Sequence, residues 1–196
     1  DDIKIIYLCN PNNPIPTVMH KEKLREFCIE MSKKCYVLVD EAYHEYVTDS
    51  NYESMAQLAV ETDNILVTRT ASKIHGFAGI RIGFAFAKEN LLKLIRQRIT
   101  GSISTASVHG ALASYKDIEN IDFVIRKNKE SLDIVYNLFE KHNVRYIKSN
   151  ANFTFFETGI DFSDTKERFL KHGIDVGRPF PPFLTWCRVS TSKPED

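Results

Sequence analysis

Short runs of aliphatic and β-branched residues alternate with amphipathic stretches along the first half of the chain, and that alternation predicts strands and helices in turn. Ile3 to Leu8 is nearly continuous in apolar residues, as a strand buried on both faces is. It stops at Cys9-Asn10-Pro11-Asn12-Asn13-Pro14-Ile15-Pro16, where prolines block helix and ladder and asparagines favour turns. Thr17 is expected to cap the following helix, on which Leu24, Phe27, Cys28 and Met31 recur at helical spacing while Lys21, Glu22, Lys23, Arg25 and Glu26 face water. A second buried strand, Cys35 to Val39, carries Asp40-Glu41-Ala42-Tyr43 at its carboxyl end. After a short helix within Asn51 to Asp63, a third strand, Asn64 to Thr68, runs into Thr70-Ala71-Ser72-Lys73. Arg81 to Phe86 reads as a fourth strand. It is expected to be antiparallel, because the connection from Lys73 is too short for the crossover of about a dozen residues that a parallel strand needs.

The second half turns helical at Lys88 to Arg98, Ser104 to Tyr115 and Ile118 to Glu140, the last long enough to bridge two bodies. Strands follow at Val144 to Lys148, Asn152 to Glu157 and Trp186 to Ser190, with a helix from Ser163 to His172 that Gly173 is expected to stop at the C′ position. The fold class expected is therefore three-layer α/β with a mixed, mostly parallel sheet, followed by a small α+β lobe.

Composition narrows the function more than the fold. Lys plus Arg equals Asp plus Glu at 26 each, so no long-range field draws nucleic acid or an anionic membrane. No apolar run reaches the roughly 18 to 20 residues of a membrane span, so a soluble, cytoplasmic protein with small-molecule partners is expected. The four cysteines form no CxxC pair and the six histidines are scattered, which speaks against a metal cluster and for reduced thiols. No secretory signal opens the chain, since Asp1-Asp2-Ile3 leads straight into the first strand. Without an initiator Met, and with Lys193-Pro194-Glu195-Asp196 directly after a strand, both ends read as cut from a longer polypeptide.

Three strand ends deliver polar groups: Asn12 and Asn13 from the first, Asp40 and Tyr43 from the second, Thr70, Ser72 and Lys73 from the third. If those strands are adjacent and parallel, the groups share the rim where open α/β sheets bind ligands. Each has an ordinary structural alternative as a cap, turn or half-buried residue. Together with Arg81 they match what a phosphorylated aromatic aldehyde requires. Lys73 can condense with the aldehyde and move a proton at a substrate carbon. Asp40 can accept from a pyridine N–H, while Tyr43 and Asn13 hydrogen-bond a ring oxygen. Thr70, Ser72 and Arg81 can hold the phosphate. His44 and His75 neighbour these segments and are left outside the site.

Asn10-Pro11-Asn12-Asn13-Pro14, Asp40-Glu41-Ala42-Tyr43, Thr70-Ala71-Ser72-Lys73 and Ala78-Gly79-Ile80-Arg81-Ile82-Gly83, in this order, resemble the fold-type I pyridoxal-phosphate aminotransferases of class I/II. The branch they resemble most is histidinol-phosphate aminotransferase. The resemblance implies pyridoxal 5′-phosphate as cofactor, Lys73 as its covalent anchor, Asp40 at the pyridine nitrogen, Tyr43 and Asn13 at the ring oxygen, and Thr70, Ser72 and Arg81 on the phosphate. Gly173-Ile174-Asp175-Val176-Gly177-Arg178-Pro179-Phe180 and Trp186-Cys187-Arg188-Val189-Ser190 are similar to the family's small-domain segments, which implies that Arg188 grips the substrate's α-carboxylate, with Asn13 also counted as substrate-binding.

Residues 1–115 are thereby expected to be part of the cofactor-binding large domain, and 116–196 a bridging helix with the small C-terminal domain. The activity implied is transamination between an amino acid or amine and a 2-oxo acid, with histidinol phosphate and 2-oxoglutarate as the leading pair, in a homodimer. A decarboxylase or lyase on the same cofactor, or a non-catalytic ligand-binding relative, is left open by the residues alone. Ile15-Pro16 stands where the family has Thr-Gly. The resemblance covers about the C-terminal half of a family member, so one side of the sheet is expected to be exposed and half of the cofactor pocket absent.

Overall fold

The computed structural model describes residues 3–195; Asp1 and Asp2, on which the reading of the chain's start rests, and Asp196 lie outside the described residues. Four strands, β1 (Ile5–Cys9), β2 (Tyr36–Asp40), β3 (Ile65–Thr70) and β4 (Gly83–Phe86), form one sheet in that order. The first three are parallel and β4 runs antiparallel to β3, as the short connection requires. Register aligns their ends, because Cys9 lies beside Asp40 and Asp40 beside Thr68. Whatever follows each parallel strand is thus delivered to the same rim.

Two helices, α1 (Lys21–Met31) and α2 (Ala56–Glu61), cover one face of this sheet. Leu24, Cys28, Met55, Leu58 and Ala59 meet Val37, Val39, Ile65 and Val67 in a core closed to solvent. Burying each of the larger aliphatic side chains contributes about 1.5–3 kcal/mol. On the other face, Leu91, Leu94 and Ile95 of α3 (Glu89–Arg96) stand across a cleft of ≈ 560 Å³ from Ile5, Tyr36, Leu38 and Leu66. Ile5, Tyr7 and Tyr36 are exposed there, so the nearly continuous apolar strands are covered fully on one side only.

Helix α4 (Thr105–Lys116) leads into α5 (Ile118–Lys141), whose 24 residues span about 36 Å at ~1.5 Å per residue. A second sheet follows, antiparallel throughout, in the order β5 (Tyr146–Ile147), β6 (Phe153–Glu157), β7 (Trp186–Ser190), with α6 (Phe162–Leu170) between β6 and β7. Tyr43, Tyr46 and Ile74 from the first sheet's rim pack with Ala151, in the turn before β6, with Phe153 of β6 and with Ile121, Val124 and Ile125 of α5. That shared core fixes one sheet against the other.

Three local expectations are corrected. Thr17 does not cap α1; His20 does, without a side-chain bond, because the Thr17 backbone closes the Asn-Pro loop, donating to Ile15 O at 2.8 Å and accepting from Asn12 N at 3.0 Å. Gly173, at φ 78°, sits one residue beyond C′, since α6 ends at Leu170 with Lys171 as its cap. The strand expected at Val144 to Lys148 shrinks to Tyr146–Ile147, which pairs with Phe156 and Phe155 of β6, with the Arg145 carbonyl accepting from the Glu157 N–H at the end of the ladder.

Candidate active site

At the rim of the first sheet a cleft of ≈ 250 Å³ is lined by Tyr7 and Cys9 of β1, Pro11 and Asn13 of the loop beyond it, Asp40 at the end of β2, Ala42 and Tyr43 just after it, and Lys73 after β3. A larger groove of ≈ 710 Å³ between α5 and the second sheet is lined largely by apolar side chains such as Leu138, Phe156 and Val189. The small cleft is where acid, phenol, amide and amine converge.

Both carboxylate oxygens of Asp40 are engaged. Oδ1 accepts from the Ala42 backbone N–H at 3.1 Å, and Oδ2 accepts from the Tyr7 hydroxyl at 2.6 Å. The Tyr7 phenol is pushed above its ordinary ionisation range, by burial first and by its hydrogen bond to Asp40 second. Tyr43 is buried, edge-on to Phe153 with ring centroids 5.4 Å apart, and the Lys73 ammonium lies 5.3 Å from the Tyr43 ring centroid. A cation held over an aromatic face is attracted by the ring quadrupole, so Tyr43 helps to keep the amine over the cleft.

Behind the rim lies a buried ion pair. Glu41 is fully buried and accepts from the Met55 N–H (2.7 Å), the Ser54 hydroxyl (2.7 Å) and Arg69 Nε (3.0 Å), with Arg69 Nη2 at 2.9 Å. Because Glu41 follows Asp40 and Arg69 precedes Thr70, this clamp ties together the strand ends that carry the site. Thr70 donates to the Ser72 hydroxyl at 2.9 Å and accepts from the Ser72 N–H at 3.1 Å, a turn that brings both hydroxyls together just before Lys73.

Arg81 follows the turn in left-handed backbone (φ 54°) and its Nη1 donates to Ala78 O at 2.7 Å. The next residue, Ile82, accepts from the Ala71 N–H at 3.2 Å, so Arg81 is carried to the edge of the hydroxyl turn. Gly83 makes that approach possible. A Cβ there would sit 2.8 Å from the Arg69 carbonyl oxygen, closer than any side chain tolerates.

The second sheet adds Arg188 of β7. Its Nη1 donates to Asn13 Oδ1 at 3.0 Å, and its guanidinium lies 5.2 Å from the Phe153 ring centroid and 5.3 Å from that of Phe180. Arg178 lies 4.9 Å over Phe180 and is exposed. His44 pairs with the Tyr52 hydroxyl at 2.9 Å and His75 with the Ser114 hydroxyl at 2.8 Å, and neither lines the cleft. Burial pulls the His44 imidazole down to about 4, with the Arg69 charge adding to the effect.

Asn13, Asp40, Tyr43 and Lys73 line the cleft itself; Asn12, Thr70, Ser72, Arg81 and Arg188 lie outside its lining, and Arg188 reaches it through Asn13. Tyr7 and the Glu41–Arg69 clamp were missed by the sequence reading. Tyr7 was legible in one respect, since it lies two residues before Cys9 and so shares its face of the strand.

The sequence family described as aminotransferase class I and II matches residues 1–173. The histidinol-phosphate aminotransferase of Caldicellulosiruptor saccharolyticus is 36% identical over 196 residues, 98% of this chain and 54% of that protein. Among solved structures, that of a proposed histidinol-phosphate aminotransferase from Erwinia carotovora atroseptica superposes with a TM-score of 0.94 at 32% identity, over 97% of this chain and 56% of that one. The histidinol-phosphate aminotransferase of Sinorhizobium meliloti, solved in complex with pyridoxal 5′-phosphate, has the same fold, with a TM-score of 0.87 at 24% identity over 95% of this chain and 52% of that one. The chain spans about half the length of the curated relatives it matches.

Proposed function

The chain belongs to the class I and II aminotransferases, and from that membership we propose that it carries the lysine-bearing part of an active site that moves an amino group with pyridoxal 5′-phosphate. The observation that carries the reading is the convergence of Asp40, Tyr43, Asn13 and Lys73 on one cleft at the ends of three strands. That donor set suits the cofactor: a carboxylate for a pyridine N–H, a phenol and an amide for a ring oxygen, an amine for an aldehyde, and a hydroxyl turn for a phosphate. Bound there, pyridoxal phosphate supplies an electron-withdrawing ring that eases removal of a proton from the substrate's α-carbon.

The residues divide the work as follows. Lys73 would hold the cofactor's aldehyde carbon, and its amine would hold and move the proton at the substrate's α-carbon. Asp40 accepts from the ring N–H. Tyr43 and the Asn13 amide nitrogen donate to the ring oxygen, and Arg188, by occupying Asn13 Oδ1, supports that orientation of the amide. Thr70, Ser72 and Arg81 bind the phosphate. Arg188 binds the substrate's carboxylate. A two-stage cycle presents two substrates to one site in turn, and a guanidinium fork accommodates either a carboxylate or a phosphate monoester.

We propose histidinol phosphate as donor, which the names of the relatives at 36% and 32% identity support, and 2-oxoglutarate as acceptor. Residues 1–115 serve as part of the cofactor-binding domain and 116–196 as bridging helix and small domain, a division supported by the two separate sheets. The complete enzyme is proposed to work as a homodimer.

The test adds pyridoxal phosphate to the complete polypeptide and follows its visible absorbance. Wild-type protein should develop the band of a lysine-bound cofactor and Lys73→Ala should not; no band in the wild type sinks the cofactor assignment. Assaying amino transfer beside CO2 release then separates transaminase from decarboxylase, and release without transfer favours the latter.

A further inference from the structure

Nothing in the assignments above gives Tyr7 a role. It stands on β1, the edge strand, two residues before Cys9, and Cys9 is the register partner of Asp40. In a parallel pair this parity puts Tyr7, Cys9 and Asp40 on one face, and the Tyr7 side chain is long enough to reach along the strand to the carboxylate. It does so with a 2.6 Å hydrogen bond from its hydroxyl to Oδ2, while the Ala42 N–H holds Oδ1. Asp40 therefore has a donor on each oxygen, one from the backbone of its own turn and one from the neighbouring strand, and its carboxyl plane is held by both.

We propose that Tyr7 is a positioning residue for Asp40, fixing the carboxylate as the acceptor for the ring N–H of pyridoxal phosphate. The inference rests on the functional reading given above, in which Asp40 meets the pyridine nitrogen. Tyr7 acts through Asp40: a phenol bound to one lone pair of Oδ2 leaves the second lone pair and the second oxygen to accept, and stops the carboxyl group from rotating between cleft and solvent. With Tyr7 57% exposed in a cleft that is open at this side, its ring contributes little packing that a phenylalanine would not also supply. The hydroxyl is the functional part.

The decisive measurement is a double-mutant cycle on the complete polypeptide, read as the dissociation constant for pyridoxal phosphate from its visible absorbance. Tyr7→Phe should bind the cofactor about tenfold more weakly, the loss of one hydrogen bond to a charged group, with its circular dichroism and unfolding midpoint unchanged. In an Asp40→Asn background the same substitution should cost nothing further. In the cofactor-free protein the phenol titration that disappears in Tyr7→Phe should move to lower pH in Asp40→Asn, a change that a packing role would not produce. Equal dissociation constants for wild type and Tyr7→Phe would overturn the inference, as would an undiminished Tyr7 effect in the Asp40→Asn background. If the wild type itself forms no absorbance band, the cofactor reading fails and this inference with it. If the band forms but does not respond to Tyr7→Phe, only the inference fails.

Discussion

Arg188 and Asn13, 175 residues apart, are joined by a 3.0 Å hydrogen bond from Nη1 to Oδ1 that links the last strand of the second sheet to the loop after the first strand of the first. The bond holds the guanidinium at the mouth of the cleft, where Phe153 and Phe180 flank it, and sets the Asn13 amide with its N–H groups free to face the other way. In the complete enzyme, Arg188→Ala should raise KM for the carboxylate-bearing substrate about tenfold or more, the worth of charge-assisted hydrogen bonds, while cofactor affinity changes far less. Steady-state kinetics with a spectroscopic cofactor titration checks this, and an unchanged KM removes Arg188 from the site.

Glu41→Gln should destabilise the protein by about 3 kcal/mol, the low end for breaking a buried ion pair, because the Arg69 side chain keeps 16% of its surface exposed and can recover some hydration. Denaturant unfolding provides the measurement. Replacing both partners with apolar residues of similar volume should cost less than the single change, and a single change costing under about 0.5 kcal/mol, the scale of an ordinary surface substitution, argues that the clamp carries no stability.

Gly83→Ala places a methyl group 2.8 Å from the Arg69 carbonyl, so β4 must part from β3. A loss of about 1–3 kcal/mol is expected from the forced shift. Since Arg81 lies two residues before Gly83, the first residue of β4, and Thr70 is the register partner of Gly83, binding of pyridoxal phosphate should weaken while binding of unphosphorylated pyridoxal does not. A loss shared equally by both ligands would place Arg81 away from the phosphate.

His44 gives the stability a pH dependence. Its imidazole titrates at about 4 in the fold against an ordinary value of 6.5, by burial first and the Arg69 charge second. Between those values the unfolded chain takes up a proton that the folded chain refuses. The contribution is therefore fully present above pH 6.5 and is lost as pH falls towards 4, by at most about 3 kcal/mol. His44→Gln should flatten the fall in unfolding midpoint across that window, with His75, shifted in the same direction by burial, supplying part of the remaining slope. Parallel curves for the two proteins would show that His44 is not the group responsible.

The second strand and the loop after it illustrate how much of the site was readable in advance. Val37 and Val39 alternate into the core, Asp40 follows at the carboxyl end, and the parallel neighbours put Asn13 and Lys73 on the same rim. Apolar periodicity, the prolines of the loop and the glycines around Arg81 are local signals, and local signals decide strand ends. The misplaced cap at Thr17 shows their limit. A threonine before an amphipathic run satisfies the pattern, yet its backbone was already committed to Asn12 and Ile15.

The sequence by itself determined the α/β class, the antiparallel turn of the fourth strand and the residue types at each strand end, because side-chain period, turn preference and connection length are properties of neighbouring residues. Only the tertiary structure decided that Tyr7 grips Asp40, that Glu41 is closed under Arg69 and that Arg188 reaches Asn13. Those bonds depend on strand register and on the packing of Tyr43 and Ile74 against Phe153 and α5. A slip of one residue would turn each of these side chains to the opposite face, which no pattern of neighbours along the chain specifies.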